Sequence, residues 1–118
     1  MKSCTDIEQS KVLAKILPLE SADMYYWCGE DLRIGGHKAM VMDFDIPCWS
    51  LAALSEFILP YISDDNGNVY EFYLSKDGLD KWVVYYKGDD GCIFCEEADN
   101  MIDVILKMVC WLKKENYI

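Results

Sequence analysis

The rhythm of apolar and polar residues changes most sharply around Pro47. Proline fixes its own φ and disfavours helix for the residue before it, so Ile46-Pro47 reads as extended chain ending in a rigid elbow. Trp49, Leu51, Leu54, Phe57 and Ile58 then recur at helical spacing. They predict a helix from Ser50 to Leu59, with Ser50 as its cap, Pro60 as its stop and Ile62 as its furthest reach.

The other elements follow in order. Thr5-Asp6-Ile7-Glu8 fits a capping box, and Ile7, Val12, Leu13, Ile16 and Leu17 give an amphipathic helix that Pro18 ends. Met24 to Cys28 is aromatic and short, as strands are. Asp31 to Ile34 fits a short strand or a loop. Lys38 to Ile46 alternates, with Met40, Met42, Phe44 and Ile46 on the inward side. Val69 to Leu74, Lys81 to Lys87 and Cys92 to Glu96 form a meander, with Gly88-Asp89-Asp90-Gly91 as its second turn. A last helix runs from Asn100 to Lys114, with Asp103 in its first turn and Lys113 and Lys114 in its last. Helices flanking a row of strands predict an α+β fold: one antiparallel sheet of about four to five strands, helices packed on one face, and a single domain over 1–118. Phe44, Leu51, Leu54, Phe57, Ile58, Ile102, Ile105, Val109 and Leu112 are its expected core.

Composition narrows the setting. At 118 residues and 53% hydrophobic, the chain has material for one core and is too apolar for disorder. It has no apolar run of transmembrane length and its first residues carry no secretory pattern, so a cytoplasmic location is expected. The net charge of −10 argues against binding nucleic acid or an anionic membrane, and favours a basic partner. The six cysteines are then expected as reduced thiols, with no disulfide and no cofactor.

Candidate chemistry is sparse. Cys92-Ile93-Phe94-Cys95 is a lone CxxC, and in a regular strand residues three apart point to opposite faces, which would part the sulfurs. His37, the chain's one histidine, follows two glycines and has no nucleophile motif near it. Asp43 and Asp45 share a strand face, where alternating acids usually meet solvent. Asp64-Asp65-Asn66-Gly67-Asn68 fails the register of a calcium loop and reads as a turn. No catalytic or metal-binding residue is assigned, and a non-enzymatic role is favoured over an enzyme without a recognisable motif.

Binding is the better prospect. The chain has more Tyr and Trp than so small a core can hide, and exposed Tyr and Trp favour interfaces. Tyr25, Tyr26, Trp27 and Tyr85 are candidate contacts, with Asp89, Asp90, Glu96 and Glu97 as an acidic surround. If the acids converged, they could instead imitate a nucleic acid and occupy a basic groove of a host defence or processing protein.

Three segments carry a family likeness: Glu8–Lys11 through Leu17–Met24, Ile46 to Leu54, and Asp99 through Asp103 to Leu112. They resemble a family of small acidic proteins encoded by gut bacteria and their phages or other mobile elements. The likeness spans most of the chain but not its middle meander or charged loops. It implies a cytosolic bacterial or phage setting and a host-interaction role, and it transfers no site residue. The joint expectation is a protein-interaction domain, a monomer or weak homodimer, with an unknown protein partner and no membrane or nucleic-acid contact of its own.

Overall fold

The helix expected to run from Ser50 to Leu59 stops after Ser55. In the computed structural model, which describes residues 2–36, 44–78 and 80–118, helix α2 spans only Leu51–Ser55. The chain gathers into two units, Lys2–Glu56 and Phe57–Ile118. Its elements are mixed α+β, with three α-helices and two antiparallel sheets among the described residues.

In the Lys2–Glu56 unit, helix α1 (Ile7–Ala14) begins with a capping box on Asp6 and Gln9, one residue later than expected. Thr5 is spared from capping because it is committed to the interior. Its hydroxyl lies 2.8 Å from that of Ser10 and accepts the Trp49 amide at 3.2 Å. Ser10 and Leu13 therefore face inward, while Val12, expected on the apolar face, is 53% exposed. The helix ends before Pro18, which instead precedes a 3-10 turn at Leu19–Ser21.

Strand β1 (Met24–Trp27) is central in a three-stranded sheet, between β2 (Asp31–Ile34) and β3 (Ile46–Cys48). Pro47 sits inside β3 opposite Tyr25, not at an elbow. An outer strand tolerates it because a missing donor there breaks no inner ladder. The β1–β2 hairpin turns through Cys28 and Gly29, both at positive φ. The Cys28 amide donates to the buried carboxylate of Asp45 at 2.8 Å, which fixes the turn. Asp45 thus faces inward, not toward solvent as its alternation suggested. The expected Lys38–Ile46 strand lies mostly outside the described residues, as do His37 and Asp43. Phe44, an expected core residue, is 52% exposed.

Ser50 caps α2 as expected, its hydroxyl accepting the Ala53 amide at 3.1 Å. Asp23 accepts the Ser50 amide at 2.9 Å and also takes the Ser50 hydroxyl. Cys48, Trp49 and Leu54 are buried, while Leu51 is only half-buried.

The Phe57–Ile118 unit opens on a turn and irregular chain where helix was expected. Leu59 precedes proline, which disfavours helix. Its carbonyl accepts the Tyr86 hydroxyl at 2.8 Å, and the Pro60 carbonyl accepts the Phe72 amide at 3.0 Å. These bonds draw the segment into a sheet, and Tyr61–Ser63 becomes strand β4. Phe57 and Ile58 are half-buried. The sheet continues with β5 (Val69–Lys76), β6 (Trp82–Gly88) and β7 (Gly91–Ala98), in the order β4-β5-β6-β7. The β4–β5 turn is built on Asp64, whose carboxylate accepts from the Asn66 and Asn68 amides, the Asn68 side chain and the Tyr70 hydroxyl.

Helix α3 (Met101–Lys114) is capped by Asn100, as its sequence predicted. Ile102, Ile105, Val109 and Leu112 are buried along it. It packs on β6 and β7, and its Trp111 ring lies 6.0 Å from Tyr86 and 4.7 Å from Phe94.

Candidate interaction surface

In a strand, side chains alternate between faces, so the register of the four-stranded sheet sorts its residues into two sets. One set includes Ile62, Tyr70, Phe72, Val84 and Tyr86, the side on which α3 packs. Ile62, Val84 and Tyr86 are buried there. Burial pushes the Tyr86 phenol up to about 12.

The opposite set forms cross-strand rows. Tyr61, Glu71, Lys87 and Cys92 stand side by side in one row, and Tyr73, Tyr85 and Cys95 in the next. Tyr61 is 58% exposed, Val69 59% and Tyr73 40%. Tyr73 and Tyr85 are stacked, their ring centroids 5.3 Å apart and their planes 8° from parallel. The Tyr73 hydroxyl donates to Glu71 at 3.0 Å, and that bond holds the phenol above its ordinary pKa. A shallow depression of about 300 Å³ opens beside this row between Tyr61, Glu71, Tyr73, Lys87 and Asp89. Gly88 also lines it. A β-carbon there would sit 2.8 Å from the Tyr70 ring and 3.0 Å from the Val69 carbonyl, so only glycine lets β6 approach β5 at this point.

The register also corrects the reading of the CxxC. Tyr86 faces Ile93 and Tyr85 faces Cys95, leaving Phe94 as the extra residue of a β-bulge, at φ +45°. The bulge resets the alternation. Cys92 and Cys95 therefore share the tyrosine face instead of pointing apart, and both are exposed.

The expected site residues are dispersed. Tyr25, Tyr26 and Trp27 belong to the three-stranded sheet. Tyr26 turns inward: its hydroxyl donates to the Thr5 carbonyl at 2.7 Å, and burial raises its pKa. Trp27 is 40% exposed and carries the Arg33 guanidinium 5.0 Å above its ring. Tyr85 and Asp89 are the expected residues that meet on or beside the tyrosine face. Asp89 and Asp90 lie at the β6–β7 turn, whereas Glu96 and Glu97 lie toward the far end of β7 and point to opposite faces. Lys107 neutralises Glu96 at 3.7 Å. The four acids form no common row.

Tyr61, Val69, Glu71 and Lys87 were not among the expected site residues. Alternation in Val69-Tyr70-Glu71-Phe72-Tyr73 was the available signal. Tyr61 was hidden by the helix expected to run past it.

Two other features bear on chemistry. Thr5, Ser10 and Cys48 are fully buried, and the Cys48 sulfur lies 3.5 Å from the Thr5 hydroxyl. Burial pushes that thiol up to about 11, which keeps it protonated and unreactive at neutral pH. Among the described residues, no group of three or more His, Cys, Asp or Glu is placed to hold a metal ion, and no helix is long and apolar enough to cross a membrane.

The chain matches no protein-family model, no curated protein and no solved structure.

Proposed function

We propose that this chain is a non-enzymatic protein-interaction module, working in the cytoplasm on behalf of a phage or mobile element, and that it meets its partner with the tyrosine face of the four-stranded sheet. One observation carries the reading: Tyr61, Val69 and Tyr73 are largely solvent-exposed on the sheet face opposite α3. Exposed aromatic residues side by side are costly in water. Tyrosine repays burial at an interface, since it buries a large ring, loses few rotamers and keeps a hydroxyl to bond. The net charge of −10 favours a basic partner through long-range attraction. The mobile-element setting rests on sequence likeness alone.

The test is capture from host lysate by the wild-type chain and by the double variant Tyr73→Ala/Tyr85→Ala, with Trp27→Ala as control and circular dichroism to verify folding. The reading expects one protein retained by wild type and Trp27→Ala, lost by the double variant, and still bound in 1 M salt, where the Debye length is only about 3 Å. Retention by the double variant would remove this face from the interaction. Loss of binding in salt together with competition by DNA would point instead to nucleic-acid imitation.

A further inference from the structure

We propose that the depression beside Tyr61 receives an arginine side chain from a basic segment of the partner, an inference that rests on reading the tyrosine face as an interface. The walls supply what a guanidinium needs. Tyr61 and Tyr73 offer exposed ring surfaces, on which a planar cation stacks. Glu71 and Asp89 bring carboxylates to the same depression, able to take the guanidinium N–H groups. The chain already shows this chemistry: Arg33 covers exposed Trp27 at 5.0 Å, and Lys76 lies 5.6 Å from the centroid of the Trp82 ring.

Lys87 is the dissenting wall. It lies opposite Glu71 in the register and lines the same depression. Its charge opposes a cationic guest and would welcome an anionic one. The two possible guests therefore predict opposite signs for the same substitution, which makes Lys87 the most informative position on this face. Both carboxylates and the surplus of acid over base in the whole chain favour the cation.

The probe is a short blocked peptide, acetyl-Gly-Arg-Gly amide, beside its citrulline counterpart, which keeps the shape and lacks the charge. Binding is read from backbone amide shifts in the isotope-labelled full chain. Saturable shifts at Tyr61, Glu71, Gly88 and Asp89 with the arginine peptide, absent with citrulline, are expected. Glu71→Gln should weaken binding by about threefold, the scale of a solvent-exposed cation–aromatic or ion contact. Lys87→Gln should strengthen it. Both positions are solvent-exposed, so the variants fold. Equal shifts with citrulline, shifts confined elsewhere, or weakening by Lys87→Gln would overturn the inference. Failure of the peptide while Tyr73 and Tyr85 still govern partner capture would sink the arginine pocket and leave the interface standing. Loss of both would sink both.

Discussion

Cys95 stands opposite Tyr85 in the four-stranded sheet, one step past a residue that fits no register position of its own. That residue, Phe94, shifts the two cysteines of the CxxC onto one exposed face. In native protein, Cys92 and Cys95 should therefore be alkylated first by iodoacetamide. Cys48 should be modified only on unfolding, since it is buried and its thiol is pushed up to about 11 by that burial. Mass mapping of a time course reads the order, and early labelling of Cys48 would contradict its place in the interior.

Leu54 is fully buried in the short helix α2. Leu54→Ala removes its packing and leaves a void, so stability should fall by about 2–5 kcal/mol in a denaturant titration. An unchanged midpoint would place Leu54 outside the core.

Gly88 admits no β-carbon without displacing the Tyr70 ring or the Val69 carbonyl. Overpacking of this kind costs about 1–3 kcal/mol, and Gly88→Ala should lose that much. A variant as stable as wild type would mean that the β5–β6 approach is looser than these distances require.

Asp64 gives the fold an acid limb. Its carboxyl is held below the ordinary value of 3.8, first by the Asn68 side chain and then by the Asn68 backbone, with burial opposing. A depressed folded pKa means that the unfolded chain takes up the proton first as pH falls. The carboxylate's contribution is thus present above the unfolded pKa and is lost as pH drops through the lower, folded one. Carboxyl NMR should find Asp64 ionised at a pH where free aspartate is half-protonated. In Asp64→Asn, the acid limb of melting temperature against pH should be shallower. An Asp64 that titrates at its ordinary value would remove the effect.

What the sequence disclosed followed the range over which each signal acts. Helix α3 was legible because its cap, apolar stripe and terminal charges lie within one stretch and agree. The β5–β7 meander was legible for the same reason: its turns and strands adjoin. Helix α2 was overestimated because local periodicity could not show that Tyr86 and Phe72 bind the carbonyls of Leu59 and Pro60. Capping moved from Thr5 to Asp6 because distant Trp49 uses the Thr5 hydroxyl. The tyrosine face depends on distant strand neighbours, Tyr61 beside Glu71 and Tyr73 beside Tyr85, and on one bulge that no motif marks. Its members could be named as aromatics but not assembled.

The bulge has a consequence for the chain in a crowded cell. Among the described residues, strand β7 is an outer strand of its sheet. A flat outer strand is a template on which another copy could dock edge to edge and begin a fibre. At Phe94 the spacing of donors and acceptors along β7 is interrupted, and Glu97 places a negative charge beyond it. A second β7 would meet a broken ladder and like charge together. The irregularity that gathers the thiols thus also works against open-ended polymerisation.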